Sequence, residues 1–140
     1  MTIAIGDKPL LPAISFKNCP IRTSLGVLGK KWTLLILRDI ALLKIDRFNQ
    51  IQRSIPGLTP RVLVLRLREL EKTGLIKPLV IQAKPRRVRW ELTKMGKDTI
   101  PTLMSLISFG AKWYPEVVFA DGKRHTVEEL FPQIDTIRIE

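Results

Sequence analysis

The stretch PGLTPRVLVLRLRELEKTGLI, residues 56–76, constrains the fold more than any other part of the sequence. Pro56-Gly57 is typical of a turn, Thr59 is a favourable N-cap residue and Pro60 fits the first position of a helix. Gly74 is typical of the position just after a helix ends. The sequence therefore predicts a turn followed by a helix that begins at Pro60 and ends near Gly74.

This predicted helix has two opposite faces. At 100° per residue, three leucines lie within about 60° of one another; they are Leu63, Leu67 and Leu70. Three cations lie within a band of about 40° on the opposite side; they are Arg61, Arg68 and Lys72, with Leu65 beside them. We expect the first face to pack on a core and the second to present positive charge outward.

The positive charge is concentrated around this helix. The chain has a formal net charge of +11, and residues 44–91 contribute +8 of it, with twelve Lys or Arg against four Asp or Glu. An excess of this size favours a polyanionic partner such as nucleic acid, an anionic membrane surface or an acidic protein. Because 45% of the residues are hydrophobic, a folded single domain is expected rather than a disordered chain.

Helices are also predicted before the opening stretch. Residues 1–18 are expected to be an irregular arm, and Pro20 can begin a short helix that runs to about Leu28. Residues 30–43 are predicted to form a central core helix, since four apolar residues recur at helical offsets: Trp32, Leu35, Ile36 and Ile40. Residues 47–55 are predicted to form a short amphipathic helix with Phe48, Ile51 and Ile55 on one side.

A β-hairpin is predicted after the opening stretch. Residues 75–83 and 87–92 are rich in β-formers and flank KPRR, residues 84–87, so the hairpin has a basic tip. Thr93 is a favourable N-cap for a following helix, which is expected to kink or restart at Pro101. Thr126 and Glu129 match a capping box, which predicts one more short helix.

Residues 101–114 are apolar on too many sides for a helix exposed on a monomer. We therefore expect this helix to pack against another chain. Six residues are predicted to contribute to dimerisation: Leu103, Leu106, Ile107, Gly110, Trp113 and Tyr114.

Together these elements predict a mainly α fold with a small β-hairpin wing, a winged helix-turn-helix domain with C-terminal dimerisation helices. Such a helix fits the major groove of duplex DNA, and basic residues on the wing can neutralise phosphates. Two alternatives remain: an RNA-binding winged module, which would need aromatic platforms for bases, and a protein-interaction module that docks on an acidic partner.

The sequence also resembles the HxlR-type winged helix-turn-helix transcriptional regulators, relatives of the MarR group. The similarity covers CP at 19–20, LGKKWTLLILRDI at 28–40, the segment 47–76, RVRWELTKMG at 87–96 and FGAKWY at 109–114. The resemblance implies a homodimer that binds double-stranded DNA at a near-palindromic operator. The corresponding organisation is an arm at 1–18, the winged domain with its dimerisation helix at 19–114 and a C-terminal extension at 115–140.

The resemblance also implies roles for individual residues. The DNA-binding residues are expected to be Thr59, Pro60, Arg61, Val64, Leu65, Arg68 and Lys72 in the recognition helix, and Lys84, Arg86 and Arg87 in the wing. Val64 and Leu65 depart from the family pattern, where these positions are commonly polar. Either Leu65 contacts a thymine methyl group, or specificity rests on DNA shape and the wing.

Cys19 occupies the place of a cysteine through which the family often senses an oxidant or a small electrophile. Its predicted position near a helix N-terminus is one that lowers thiol pKa values and so increases reactivity. The alternative is a half-buried small side chain with no redox role.

Other classes of function find little support in the sequence. Neither a catalytic motif nor a cofactor-binding motif is present, and His125 has no Cys or His at metal-ligand spacing and no evident carboxylate partner, so we expect a solvated His, no metal and no enzyme. Trp32 is expected to be a core residue. A single cysteine, no signal peptide and no membrane-spanning stretch favour a cytoplasmic protein without a membrane partner.

Overall fold

A computed structural model describes residues 3–133 and confirms the mainly α fold with a two-stranded antiparallel hairpin. The helices that precede the hairpin are α1 (Pro20–Leu28), α2 (Thr33–Arg38), a π-helical segment (Asp39–Leu43), α3 (Phe48–Ser54) and α4 (Pro60–Lys72). The hairpin and the later helices are β1 (Ile76–Gln82), β2 (Arg87–Leu92), α5 (Lys94–Lys97), α6 (Ile100–Trp113), α7 (Pro115–Val118) and α8 (Val127–Leu130).

Helix α4 begins and ends where the sequence predicts. The hydroxyl of Thr59 accepts a hydrogen bond from the backbone N–H of Val62 at 3.3 Å, which caps the helix, and Pro60 follows. The chain leaves the helix through Gly74, whose φ of 87° is in the left-handed region that favours glycine. Three leucines of α4 are buried in the core, as predicted: Leu63, Leu67 and Leu70.

The turn between α3 and α4 is fixed by contact with an aromatic ring. Gly57 has a φ of 88°, and a Cβ atom at this position would lie 3.2 Å from Cη2 of Trp32. Trp32 is half-buried and packs against the core cluster, which confirms its predicted role in packing. The ring thus holds the turn that sets α4 relative to α3.

The predicted core helix over 30–43 is wrong in part. The helix begins only at Thr33, because Trp32 itself has a φ of 79°, and the last turn widens into the π-helical segment. Ile36 and Ile40 are buried as predicted, but Leu35 is 39% exposed. Since Trp32 lies outside the helix, its spacing to Leu35 does not place the two side chains on one face.

The hairpin packs on the core through both strands, and Ile76 at the start of β1 is buried. In β2, Trp90 and Leu92 are half-buried against the core, whereas Arg87 and Arg89 are exposed, so its side chains alternate between the core and solvent. The N–H of Trp90 donates to the carbonyl oxygen of Asp46 at 2.8 Å, which connects the hairpin to the loop before α3. The wing therefore has a fixed position beside α3 and α4.

Helices α5 and α6 follow the hairpin as the sequence predicts. The Thr93 hydroxyl accepts from the N–H of Gly96 at 3.1 Å, and α6 restarts with Pro101 in its first turn. A side chain at Gly96 would collide with the carbonyl oxygen of Leu75, so α5 sits directly on the start of β1.

The C-terminal extension differs from expectation at His125. Its Nε2 lies 2.8 Å from Asp121 Oδ2 and its Nδ1 lies 3.2 Å from Glu129 Oε2, and its ring meets Phe119 edge-on at 4.7 Å between centroids. The prediction that His125 has no carboxylate partner is therefore wrong, because residues four positions away on both sides are acidic. The hydrogen bond to Asp121, followed by that to Glu129, raises the pKa of His125 above its usual value.

The pKa of the Asp121 carboxyl, which pairs with His125, is lowered mainly by the backbone N–H of Lys123 and next by His125.

One of the two hydrogen bonds of the predicted capping box is present, since the Thr126 hydroxyl accepts from the N–H of Glu129 at 3.2 Å. Residues 3–18 form no helix or strand, as expected for an arm. The predicted arm and extension also include residues 1–2 and 134–140, which lie outside the described residues.

Across residues 3–133, no helix is both long enough and apolar enough to span a lipid bilayer.

Candidate nucleic-acid interface

The outward face of α4 carries three exposed cations. Arg61, Arg68 and Lys72 project opposite the buried leucines, and none of them makes an ion pair or a side-chain hydrogen bond within residues 3–133. Leu65 lies among them and is 50% exposed. These guanidinium and ammonium groups are thus available to an external anion.

A fourth cation of the same helix, Arg66, forms hydrogen bonds within the chain. Its Nε donates to the carbonyl oxygen of Lys31 at 2.9 Å, and its Nη1 lies 3.3 Å from both carboxylate oxygens of Glu69. Lys30 also pairs with Glu69 at 3.3 Å. Arg66 therefore holds α4 against the segment before α2 and does not belong to the outward face.

The N-terminus of α4 is exposed at Thr59 and Pro60. The Thr59 hydroxyl already accepts the capping hydrogen bond, so its contribution is to hold the first turn in place. Free backbone N–H groups at a helix N-terminus favour a phosphate, and the Arg61 side chain starts from the same turn.

The two apolar residues in the middle of α4 have different surroundings. Val64 is half-buried and lines a groove of about 270 Å³ between α4 and the wing, together with Phe48, Arg68 and Trp90. Leu65 faces outward. The structure thus brings Leu65, but not Val64, to the exposed basic face.

The tip of the wing is exposed and basic, as predicted. Lys84, Arg86 and Arg87 are exposed and make no side-chain ion pair within the part of the chain that the structure describes. The side-chain amide of Gln82 donates to the carbonyl oxygen of Lys84 at 3.0 Å, which closes the turn. The wing therefore presents three free charges at one end of the hairpin.

A polar surface of α3 extends this basic region and was missed by the sequence-based assignment of site residues. Arg47, Asn49, Gln50 and Arg53 are exposed and, with Arg86 and Arg87, line a groove of about 600 Å³ between α3 and the wing. Arg47 and Arg53 lie within the basic block 44–91, so the charge pattern contained this signal. The polar residues of α3 could not be joined to the wing without the tertiary fold.

The structure separates the six predicted dimerisation residues into three groups. Leu103 is buried in the core of its own subunit, so it is not available to a partner. Ile107 and Gly110 are half-buried and line a cavity, and Leu106 stands at its edge. Trp113 and Tyr114 are exposed, and Phe109, which the sequence analysis did not select, is 58% exposed beside them.

Cys19 occupies the N-cap position of α1, as the sequence predicts, and is exposed. The thiol makes no capping hydrogen bond. The helix that it precedes contains no buried residue, and Ile21 is 70% exposed. The thiol and the apolar face of α1 are thus both open to a reagent or to another chain.

The chain is similar to proteins of a known family. Residues 27–118 match the model of the HxlR-like helix-turn-helix family. The uncharacterized HTH-type transcriptional regulator YdeP of Bacillus subtilis (strain 168) is 30% identical over 115 residues, which cover 82% of this chain and 89% of that protein.

Two solved structures are also similar. A protein assigned to the MarR family of transcriptional regulators, from Porphyromonas gingivalis W83, has a TM-score of 0.61 and 32% identity, and the match covers 73% of this chain and 99% of that one. The redox regulator HypR in its reduced form has a TM-score of 0.59 and 30% identity, over 67% of this chain and 92% of that one.

Proposed function

Because this chain belongs to the HxlR-like helix-turn-helix family and is a transcriptional regulator with a DNA-binding fold, we propose that it binds a near-palindromic operator as a homodimer. The observation that carries the proposal is the outward face of α4, where Arg61, Arg68 and Lys72 are exposed and unpaired within the described residues. An α-helix fits the major groove, and Arg can bind guanine edges or phosphates through two parallel hydrogen bonds.

The remaining basic surfaces support contacts on either side of the major groove. The wing tip provides Lys84, Arg86 and Arg87, and α3 provides Arg47 and Arg53 across the shared groove. In helix-turn-helix proteins the first helix crosses the DNA backbone while the second reads the bases. We assign the α3 and wing cations to phosphate contacts and Arg61 and Leu65 to base contacts, with Leu65 against a thymine methyl group.

The homodimer is supported by apolar surface that the isolated subunit leaves uncovered. Helix α1 contains no buried residue, and α6 exposes Leu106, Phe109 and Trp113. Contiguous exposed apolar surfaces of this kind mark interfaces in soluble proteins. We propose that α1 and α6 pair with the same helices of a second copy. Residues 19–114 then form the winged domain and dimerisation helix of each subunit in a symmetric dimer.

Selection from random DNA duplexes tests the operator directly. We expect an inverted repeat, bound at least ~10³-fold more tightly than a scrambled duplex of equal composition. Equal affinity for both duplexes would contradict sequence-specific reading. Binding measured across a series of salt concentrations with the selected duplex, with a folded RNA and with an acidic protein distinguishes the alternative modules. Phe48 and Trp90, the two aromatic residues of the basic block 44–91, are both half-buried against the core, which disfavours a base-stacking platform.

Sedimentation of Phe109→Glu tests the dimer. We expect the wild type to sediment as a dimer at micromolar concentration and the variant as a monomer, because a carboxylate in an apolar interface remains unpaired. Met95→Glu is the matched control, since Met95 is similarly exposed on α5, outside the proposed interface. A monomeric wild type would refute the homodimer and with it the palindromic operator.

We propose that Cys19 makes the regulator responsive to oxidants or electrophiles. The thiol is exposed at the N-terminus of α1, and the similar protein HypR is a redox regulator. With one cysteine in each chain, peroxide can oxidise two thiols from two subunits to one disulfide, and it accepts the two electrons and two protons as it forms two waters. Because α1 belongs to the proposed interface, such a bond would change the dimer and its affinity for DNA.

A further inference from the structure

An apolar cavity of about 460 Å³ lies between α2, α6 and the C-terminal extension. Leu34 and Leu35 form one wall and α6 forms the second. Phe119 and Leu130 close the third side, and both residues lie beyond the segment 27–118 that matches the family model. The volume is within the range of roughly 300–1,000 Å³ typical of small-molecule sites.

Arg38 is the one charged residue in the cavity lining within residues 3–133. Its Nε and Nη2 donate to Oδ1 of Asp39 at 3.0 and 2.8 Å. Asp39 is completely buried, so this contact fixes the guanidinium in one orientation. The edge formed by Nη1 and Nη2 keeps free N–H donors, since Nη1 has no partner within the described residues. A carboxylate can accept two parallel hydrogen bonds from such an edge.

A glycine, Gly110, also lines the cavity, and packing within the described residues does not explain why this position has no side chain. It lies in the interior of α6, where glycine is about 1 kcal/mol less favourable than alanine. Its φ is not in the left-handed region, and a Cβ atom placed on it would meet nothing within 4 Å. Neither the backbone conformation nor close packing therefore requires a glycine at this position. The absence of a side chain leaves open space in the cavity.

We propose that this cavity binds a small amphipathic monocarboxylate, with its apolar body between α2 and α6 and its carboxylate on the free edge of Arg38. The chemistry of the lining selects this class, because a single oriented guanidinium lines the cavity together with apolar side chains. A purely apolar ligand would leave the Arg38 donors unsatisfied, and a polyanion would bury charges that have no partner.

The cavity faces a different direction from the surface assigned to the second subunit. At 100° per residue, Gly110 and Ile107 lie within about 60° of Leu103, whereas Phe109 and Trp113 lie roughly 80–120° away. Leu106 stands between the two faces. One helix can therefore contact a partner and a ligand at the same time.

Calorimetric titration of the full-length protein with sodium decanoate, and separately with decan-1-ol, tests the site. We expect saturable binding of one decanoate per subunit, with the alcohol bound at least ~10-fold more weakly because it lacks the second acceptor oxygen. Gly110→Leu should abolish binding of both probes, since its side chain fills the open space, and it should keep the oligomeric state of the wild type.

Arg38→Met should weaken decanoate binding by about 10-fold or more and leave decan-1-ol binding within twofold. Arg38→Lys serves as a second variant if the loss of the Asp39 partner prevents folding, because it keeps the charge and removes the bidentate edge. The proposal is overturned if decanoate shows no saturable binding, or if either Arg38 variant weakens both probes equally. It is also overturned if Gly110→Leu converts a dimer to a monomer, which would mean that a second copy occupies the cavity.

Discussion

Arg68→Gln and Arg66→Gln remove the same charge from the same helix but should have different effects on DNA binding. Arg68 is exposed and unpaired within the described residues, whereas Arg66 is held by the Lys31 carbonyl oxygen at 2.9 Å and by Glu69 at 3.3 Å. We therefore expect Arg68 to neutralise a phosphate and Arg66 to remain bound within the subunit. Long-range electrostatics alone would predict equal effects.

The expected size follows from counterion release. The slope of log affinity against log salt changes by about 0.9 for each phosphate that a cation neutralises, so removing one such cation from each of two subunits reduces its magnitude by about 1.8. Hydrogen bonds to charged groups contribute on the order of 1.5–3 kcal/mol each, so the loss of one in each of two subunits should lower the affinity at low salt by at least ~100-fold. Arg66→Gln should change neither the slope nor the affinity of the folded protein.

The assay is fluorescence anisotropy with the selected duplex at five or more salt concentrations. Arg66→Gln removes an ion pair that holds α4, so its thermal unfolding is measured first and the binding is compared well below the transition. An unchanged slope for Arg68→Gln, or equal slope changes for the two variants, would refute the assignment of Arg68 to a phosphate of the DNA backbone.

Three further predictions concern the turn, the tail and the thiol. Gly57→Ala should reduce the free energy of unfolding in urea by about 2 kcal/mol, because its φ of 88° is unfavourable for alanine and the methyl group would press on the Trp32 ring; an unchanged midpoint would contradict this. In an NMR titration the pKa of His125 should lie above 6.5 and fall in Asp121→Asn; the ion pairs should stabilise the tail fully below pH 6.5 and be lost as the pH rises through the folded-state pKa. Peroxide should change the DNA affinity of the wild type and not of Cys19→Ser, and an equal response of the two would exclude the thiol as the sensor.

The parts of the fold that follow local rules could be predicted from the sequence. The start of α4 is determined by Thr59 and Pro60, and its end by Gly74, because capping and left-handed backbone conformation depend on single residues. The buried and exposed faces of α4 follow from helical periodicity alone. The hairpin and the tip of the wing could also be predicted from local sequence, because β-forming residues flank a short basic turn.

Positions that depend on a local break in regularity could not be predicted. The sequence over 30–43 fits one regular helix, but Trp32 adopts a left-handed conformation and Asp39 begins a π-helical segment. The first departure accompanies a tertiary contact between the Trp32 ring and the turn at Gly57, and the second begins at the buried Asp39, whose carboxylate accepts from the neighbouring Arg38. Periodicity contains no information about either contact.

The candidate interface shows the same division. Cations of one helix can be grouped by angle, so Arg61, Arg68 and Lys72 were selected correctly as one exposed face. Neither the commitment of Arg66 to the Lys31 carbonyl nor the groove that joins α3 to the wing could be found in this way, because each joins residues that are distant in sequence.

Helix α6 shows why apolar composition alone could not resolve its function. Sequence analysis assigned its surplus of apolar residues to one interface, but the helix faces three environments: Leu103 is buried in the core, Gly110 lines the cavity and Phe109 is exposed. Substitutions at these positions should therefore separate three properties that a single interface would couple. Leu103→Ala should lower stability by about 2–5 kcal/mol, Gly110→Leu should remove ligand binding and Phe109→Glu should remove dimerisation. If any one of these changes impaired all three properties in a protein that remained folded, the division of α6 into separate faces would be wrong.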